Sequence, residues 1–109
     1  MEARDLRALV RFDDDAPTRA TLFESGRLWS QVVCLQRSQR VGPIADPAAD
    51  AIVAILAGTV ATQVGNGRRR IGQWECVLVP AGEELTLANA SEDPSVVLIV
   101  AAPPPAERV

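Results

Sequence analysis

The sequence contains no histidine, no tyrosine and no lysine, and these absences exclude more functions than any motif supports. Without an imidazole, the chain lacks both the usual acid-base catalyst and the commonest metal-ligating side chain. Without lysine, it cannot form a Schiff base with a substrate. All 11 basic residues are therefore arginines, a bias that together with abundant alanine is typical of a GC-rich bacterial genome.

Aromatic side chains and long apolar runs are also scarce. Aromatic residues make up 4% of the chain and the net charge is −3, so neither the basic face nor the stacking platform that nucleic-acid binding requires is evident. The longest apolar stretches, such as residues 96–102, fall far short of the roughly 20 residues that a membrane helix needs. With an acidic Glu2 and no apolar signal core, we expect a cytoplasmic protein that contacts neither nucleic acid nor membrane.

The two cysteines, Cys34 and Cys76, both lie in apolar segments. The cytoplasm disfavours disulfides, and a free cysteine behaves as a small apolar side chain. We therefore expect both cysteines to be buried and unpaired.

The chain does contain a series of short segments typical of strands, separated by residues that favour turns. Ser25-Gly26 and Gly65-Asn66-Gly67 are typical of hairpins, and no segment has a convincing amphipathic-helix pattern. This arrangement predicts an all-β protein, built as an antiparallel sandwich or barrel. The expected strands are residues 18–24, 27–36, 51–56, 59–64, 68–71, 74–79, 84–89 and 95–102.

Four segments need further interpretation. Residues 6–12 fit either a short strand or a helical turn, and residues 37–50 are expected to form a loop because their prolines prevent long regular pairing. Residues 51–56 are almost wholly apolar, which favours a strand covered on both faces. In residues 27–36, polar and apolar side chains mix on both alternating faces, so the sequence does not show which face points to the core.

Two charged clusters could suggest binding sites, but the arrangement of the residues in each cluster does not favour binding. Asp13-Asp14-Asp15 lacks the spaced ligands of a calcium loop, so a solvated turn is expected. On a strand, Arg68, Arg69 and Arg70 would alternate between faces, so no more than two can meet a phosphate or an acidic partner. We expect these arginines to form a solvated edge that discourages edge-to-edge association.

The segment from residue 76 to residue 89 resembles the second motif of the cupin family. An apolar run enters Pro80-Ala81-Gly82 and leaves it as an alternating segment that ends at Asn89. In that family, two residues separate the glycine from a metal-binding histidine, and an asparagine follows four positions later. Here Leu85 occupies the histidine position, and Asn89 keeps the asparagine.

The first cupin motif is placed by its spacing, with Gly58 as the closing glycine. Ser38 then stands at the opening glycine, and the three remaining metal-ligand positions hold Ile44, Asp46 and Ala51. The two motifs together span residues 38–89, about half of the chain.

The resemblance implies a cupin-type antiparallel jelly-roll β-barrel as a single domain, comprising residues 1–102. The hairpin at Gly65-Asn66-Gly67 falls between the motifs as in a compact cupin, whereas Trp74-Glu75 replaces the family's usual Gly-Asp. Residues 103–109 form a proline-rich C-terminal tail, which should leave the barrel because proline cannot donate ladder hydrogen bonds.

The metal-ligand positions keep the family's spacing but not its chemistry. Ile44, Ala51 and Leu85 are apolar, and Asp46 alone cannot supply the three or four ligands of a catalytic transition metal. No metal or other cofactor is therefore expected, and the metal-dependent dioxygenase and isomerase activities of this family are not implied. The four positions should instead line the barrel interior, as a filled core or as a pocket for a small, largely apolar molecule.

Three functional hypotheses follow. The main prediction is a metal-free cupin that binds a small ligand or acts as a sensing module, and the alternative is a structural or oligomerising barrel with a filled interior. The third, a metal-independent isomerase or epimerase, resembles a branch of the fold that uses a histidine and a tyrosine, both missing here. Its acid-base candidates are Asp46, Glu75, Glu83 or Cys34.

A homodimer is also expected. Apolar residues on both faces of residues 51–56, together with Phe12 and Trp29, exceed what one small barrel is expected to cover.

Overall fold

The computed structural model describes residues 1–106, which form nine strands and one short 3-10 helix, Leu6–Leu9. The strands make a five-stranded sheet in the order β1-β2-β9-β4-β7 and a four-stranded sheet in the order β3-β8-β5-β6, and every pairing is antiparallel. This confirms the all-β prediction. The strands are β1 Thr18–Glu24, β2 Trp29–Leu35, β3 Arg40–Ile44, β4 Asp50–Ala57, β5 Thr59–Val64, β6 Gly67–Gly72, β7 Cys76–Val79, β8 Leu85–Ala88 and β9 Ser95–Ala102.

The two sheets share one core of aliphatic side chains. Because side chains alternate along a strand, the inward-facing residues of one strand are two positions apart, as are Val33 and Leu35 on β2 and Val53 and Ile55 on β4. Removing this apolar surface from water is the main force that holds the sheets together. The most deeply buried members are Val33, Leu35, Val41, Val53, Ile55, Val60, Ile71, Leu87 and Val97.

Strand β2 is buried on both faces, which explains why its sequence shows no clear core face. Its odd-numbered side chains point between the sheets, whereas Val32 and Cys34 point outward. The N-terminal segment covers that outer face by packing Leu6, Leu9 and Phe12 against it. Phe12 is therefore accounted for within one chain, which removes one of the reasons for expecting a dimer.

The predicted loop of residues 37–50 contains a strand, β3, so the loop prediction is wrong for Arg40–Ile44. The strand is short, and its pairing with β8 shifts register between Val41 and Ile44. Gly42 lies in this irregularity with φ +107°, and a side chain there would collide with the backbone of Leu85. The irregularity lets Pro43 lie within a strand, because the ladder is already interrupted there.

Strand β4 lies between β9 and β7, and its prediction as a strand is confirmed. Within one chain only the inner face is fully covered, because the outward side chain of Ile52 is 50% exposed. On the neighbouring strand Cys76 is also exposed, so only Cys34 is buried as predicted. Both cysteines are free, as expected.

Asn89 ties the end of β8 to two neighbouring segments. Its Nδ2 donates to the carbonyl oxygens of Leu35 and Asp93, at 3.0 and 2.8 Å. Its Oδ1 accepts from the backbone N–H and the hydroxyl of Ser91. The asparagine that the second motif retains therefore has a structural role, because it connects the end of β8 to Leu35 and to the segment of Ser91 and Asp93.

Arg68, Arg69 and Arg70 are exposed on β6, which is an edge strand of the four-stranded sheet. This is the position that a solvated, association-resistant edge requires. No helix within residues 1–106 has the length and apolar character to cross a membrane.

Candidate ligand pocket

The four positions predicted from the motif spacing line one cavity at one end of the barrel. Ile44 ends β3 and Leu85 begins β8, and these two residues are cross-strand partners. Ala51 faces inward from β4, and Asp46 lies in the loop between β3 and β4. The spacing of the motifs therefore predicts which residues meet, whereas their role in binding stays a prediction.

The cavity lies at a level of the five-stranded sheet where two of the inward-facing side chains, those of Ala51 and Ala101, are small. There Trp29, Ala101, Ala51 and Val79 stand side by side on four adjacent strands. We call this level, with its cavity, the open end of the barrel. At the opposite end of the barrel, which we call the filled end, the same strands place Val33, Leu35, Ile55 and Val97 in the core.

The cavity has a volume of about 60 Å³. Since one water molecule needs roughly 10–15 Å³, the space holds about four to six water-sized groups. Ala45, Pro80 and Glu83 line it and are exposed, so they mark its mouth. The other lining residues are Trp29, Gln31, Ile44, Asp46, Ala49, Ala51, Val79, Leu85, Ile99, Ala101 and Pro105.

Two polar side chains that lie outside the two motifs, those of Trp29 and Gln31, also line the cavity. Trp29 is 5% exposed and Gln31 is 4% exposed. The indole Nε1 of Trp29 is buried and has no hydrogen-bond acceptor among the residues that the structure describes. The inward alternation Trp29, Gln31, Val33, Leu35 is visible in the sequence, but it marks a polar interior only once the inner face of β2 is known.

Asp46 is engaged by backbone donors. Its Oδ1 accepts from the N–H groups of Ala48 and Ala49 at 2.8 and 2.9 Å, and its Oδ2 accepts from the N–H of Ala106 at 2.9 Å. These bonds hold the pKa of Asp46 below its usual value, with the Ala106 bond contributing most. The carboxylate therefore acts as a clamp on its own loop and on the C-terminal tail.

The C-terminal tail returns to the open end. Strand β9 ends at Ala102, but Pro105 lines the cavity and Ala106 is bound to Asp46. The prediction that the tail leaves the barrel is therefore wrong for Pro105 and Ala106. Residues 107–109 of the predicted tail lie outside the described residues.

The four acid-base candidates do not form one site. Asp46 and Glu83 both line the cavity, but Asp46 is held by its three backbone bonds, and the Glu83 carboxylate lies over Gly65. Glu75 accepts from the N–H of Gly72 outside the cavity. Cys34 is on the outer face of β2, beneath the N-terminal segment.

The side chains at the open end do not fit the metal centre that the cupin motif implies. Ile44, Ala51 and Leu85 carry no donor atom, and the oxygens of Asp46 are already accepting hydrogen bonds. Within residues 1–106, no group of three or more histidine, cysteine, aspartate or glutamate residues is arranged to hold a metal ion.

Backbone angles at three family glycine positions agree with the motif spacing. Ser38 and Trp74 have φ values of +68° and +72°, and they are the two non-glycine residues in the described part of the chain with positive φ. Both stand where the cupin motifs have glycine, the residue that adopts such angles without strain. Gly58, the closing glycine, has φ +80°, and a Cβ there would lie 2.6 Å from the carbonyl oxygen of Pro94.

Several solved structures share this fold. The protein TT1209 from Thermus thermophilus matches with a TM-score of 0.91 and 27% identity, over 96% of this chain and 100% of that one. A Klebsiella pneumoniae protein with a double-stranded β-helix domain matches with a TM-score of 0.86 and 18% identity, over 93% and 84% of the two chains. An RmlC-like cupin from Desulfovibrio desulfuricans matches with a TM-score of 0.84 and 18% identity, over 95% and 98%.

No protein-family model and no curated protein sequence matches the chain. The structural matches nevertheless show that the chain has the fold of cupin and RmlC-like proteins, a jelly-roll β-barrel, as the motif resemblance implies.

Proposed function

We propose that this chain is a metal-free cupin-fold protein that binds a small, largely apolar molecule in the open end of its barrel, as a binding or sensing module. One observation carries the proposal: the inward side chains shrink to Ala51 and Ala101 between the larger Trp29 and Val79. A barrel with a purely structural role would gain stability from larger aliphatic residues here, because unfilled space costs stability. Alanine at these positions leaves room for an occupant.

The proposal is tested by filling the cavity from the barrel wall. Ala51→Leu places a larger side chain in the cavity, whereas Ala54→Leu makes the same change on the same strand but on the opposite face. Ligand-observed NMR with a panel of neutral molecules small enough for the cavity should detect binding to the parent chain and to Ala54→Leu. Binding should be lost in Ala51→Leu. If no molecule binds in a way that depends on Ala51, the structural alternative, a barrel without a ligand, replaces this proposal.

We also propose a homodimer, formed through the outer face of β9, β4 and β7. Val100, Ile52 and Leu78 are neighbours across these three strands. Ile52 is 50% exposed and Leu78 is 64% exposed, so together they form an apolar patch that suits an isologous contact. Trp29, which also motivated the dimer prediction, is enclosed in the barrel and contributes nothing to this surface.

Light scattering at micromolar concentration should give the mass of a dimer, and Ile52→Arg should give a monomer. Leu28→Arg, at an exposed leucine in the β1–β2 turn, is the control and should leave the dimer intact. A monomeric parent chain at this concentration would contradict the proposed dimer.

A cytoplasmic location is the remaining proposal. It is supported by the free thiols of Cys34 and Cys76, since such thiols persist under reducing conditions. Cell fractionation of the tagged chain would test it.

A further inference from the structure

The outer face of the four-stranded sheet carries exposed arginines on both of its edges. Arg40 lies on β3 at one edge, and Arg68 and Arg70 lie on β6 at the other. The next residues along the chain, Val41 and Ile71, belong to the core. Because side chains alternate along a strand, Arg40, Arg68 and Arg70 all point outward on the same face. The sequence predicts that two of the arginines on β6 share a face, and the structure adds Arg40 to them.

Small side chains separate the arginines of the two edges. One row across the four strands consists of Arg40, Ala88, Ala61 and Arg70. Alanine is depleted in strands, whose pleated surface is usually covered by larger β-branched or aromatic residues. These side chains, with Arg68 and Thr86, line an open groove of about 460 Å³, which we call the arginine groove. Arginine on an edge strand discourages association, but that role does not require an alanine floor between the edges.

The three arginines are not neutralised by the protein. Within residues 1–106, no hydrogen bond or ion pair engages the guanidinium groups of Arg40, Arg68 and Arg70. Arg69 also borders the groove, but its guanidinium is already 3.8 Å from the carboxylate of Glu75. Among the described residues, no aspartate or glutamate lines the groove. A chain with a net charge of −3 therefore has one distinctly cationic depression.

The spacing of the arginines indicates the shape of an anion that would fit them. Three strand spacings place the Cα atoms of Arg40 and Arg70 roughly 14 Å apart, and Arg68 is about 7 Å from Arg70 along β6. Guanidinium groups bind phosphate through paired hydrogen bonds. A single phosphate would meet the groups of one edge, whereas a chain of linked phosphates would extend over the alanine floor toward the other edge.

The lining of the groove argues against a macromolecular partner. Within residues 1–106, no aromatic side chain lines it, so the stacking platform that single-stranded nucleic acid uses is missing. The lining also has none of the large apolar anchors that dominate protein interfaces. The volume of the groove falls instead in the range of roughly 300–1,000 Å³ that is usual for small-molecule sites. Glu84 lines a separate depression beside the β5–β6 turn, outside the groove.

We propose that the arginine groove binds a small molecule that carries two or three linked phosphate groups, held by Arg68 and Arg70 on one side and by Arg40 on the other. The groove lies on the outside of the barrel and shares no lining residue with the cavity at the open end. This inference is therefore independent of the proposed function.

Calorimetric titration at low ionic strength tests the proposal with inorganic triphosphate, ATP, orthophosphate and oligoglutamate. Triphosphate and ATP should bind, orthophosphate should bind more weakly, and added salt should weaken all binding because the groove is open to solvent. Tighter binding of ATP than of triphosphate would identify a nucleotide as the ligand, and equal binding would identify the phosphate chain alone. Tighter binding of oligoglutamate than of triphosphate would mean that the face takes an acidic protein segment, and it would overturn the proposal.

Charge-matched variants locate the binding. Arg40→Gln and Arg70→Gln should each raise the Kd for triphosphate by about three- to tenfold, the effect of losing one charge-assisted contact. Arg27→Gln removes the same charge from the exposed β1–β2 turn and should leave the Kd unchanged. If Arg27→Gln weakens binding as much as Arg40→Gln, binding follows the net charge of the chain, and the groove is not a site.

A substitution in the floor of the groove gives a second, independent test. Ala61→Glu would place a carboxylate between Arg40 and Arg70, whereas Ala61→Gln adds a side chain of the same size without the charge. Triphosphate binding should be lost in Ala61→Glu and retained, though weakened, in Ala61→Gln. Equal binding by the two variants, or no binding of triphosphate to the parent chain, would overturn the proposal.

Discussion

At the filled end of the barrel, large aliphatic side chains such as Leu35, Ile55 and Leu87 enclose one another, whereas at the open end Ala51 and Ala101 face a cavity. Both ends use the same strands. The ladder between β2 and β9 is regular from one end to the other, and the ladder between β9 and β4 shifts register only between Ile55 and Ala57, at the filled end. The strands therefore remain paired at the open end, although their inward side chains no longer fill the space between the sheets there. The comparison teaches that one well-packed end can stabilise the jelly roll, which leaves the other end free to be shaped for an occupant.

The largest expected effect comes from removing one leucine at each end. Leu87 and Leu85 lie on the same face of β8, but Leu87 is enclosed by the core and Leu85 also lines the cavity. Leu87→Ala should lower the free energy of unfolding by about 2–5 kcal/mol, the usual cost of a new internal cavity. Leu85→Ala should cost about 1 kcal/mol less, because it enlarges a space that already exists. Urea unfolding measures both, and equal losses would mean that the two ends are packed alike.

The second prediction tests whether the side chains of residues 44, 51 and 85 converge at the open end, by building a metal site there. Ile44→His, Ala51→Glu and Leu85→His in one chain would place two imidazoles and a carboxylate at the family's ligand positions, donors that suit zinc or nickel. The structure argues for keeping Asp46, because it clamps the loop and the tail. Metal at a hundredfold excess over its Kd should stabilise the variant by about 2.7 kcal/mol, visible as a rise in Tm.

In the control for this experiment, Ala54→Glu replaces Ala51→Glu, so that the carboxylate points out of the barrel. The control variant and the parent chain should show no comparable metal-dependent rise in Tm. Affinity in the test variant is expected to be modest, since missing outer hydrogen bonds typically weaken a metal site by about ten- to a hundredfold. A folded test variant without a metal-dependent shift would mean that the three side chains do not converge.

The antiparallel fold can be predicted from the sequence because the patterns that indicate strands and turns are local. Strand alternation and turn residues such as Gly65-Asn66 act within a few residues, and the structure confirms that hairpin between β5 and β6. The motif spacing also predicts that Ile44 and Leu85 meet, because a jelly roll brings those two positions together. Strand β3 was not predicted because Gly42 and Pro43, which indicate a loop, are accommodated by an irregularity in its pairing with β8.

The polar part of the pocket could not be predicted in the same way. Trp29 and Gln31 are separated by many residues from Ala51 and Leu85, and only the pairing of β2 with β9 brings them to one cavity. The return of the C-terminal tail depends on one bond between Asp46 and the backbone of Ala106. Neither arrangement is indicated by a local sequence pattern, so only the three-dimensional structure shows them.

A smaller effect is expected at the filled end, from two residues held at positive φ. Ser38 donates its N–H to the carbonyl oxygen of Asn89, and Trp74 donates to that of Ile55, so both are fixed near the packed core. Replacing either residue by glycine should relieve backbone strain and stabilise the chain by up to about 1 kcal/mol. Ala81→Gly, at a residue without positive φ, should instead be destabilising. Loss of stability in Ser38→Gly would show that the filled end holds no such strain.

The smallest effect concerns the clamp at the open end and appears only in acid. The pKa of Asp46 is lowered in the folded chain, mainly by the Ala106 N–H and then by the Ala48 N–H. Its stabilising contribution is therefore complete above the ordinary aspartate pKa and is lost as the pH falls through the lowered value. Asp46→Asn should flatten this part of the stability curve, and in the parent chain the NMR shift of the Ala106 amide should titrate over the same range.

Asp5 also has a lowered pKa, because it pairs with Arg7, but Asp5→Asn should leave the Ala106 titration unchanged. An Ala106 shift that does not respond to acid in the parent chain would mean that Asp46 does not hold the tail against the open end.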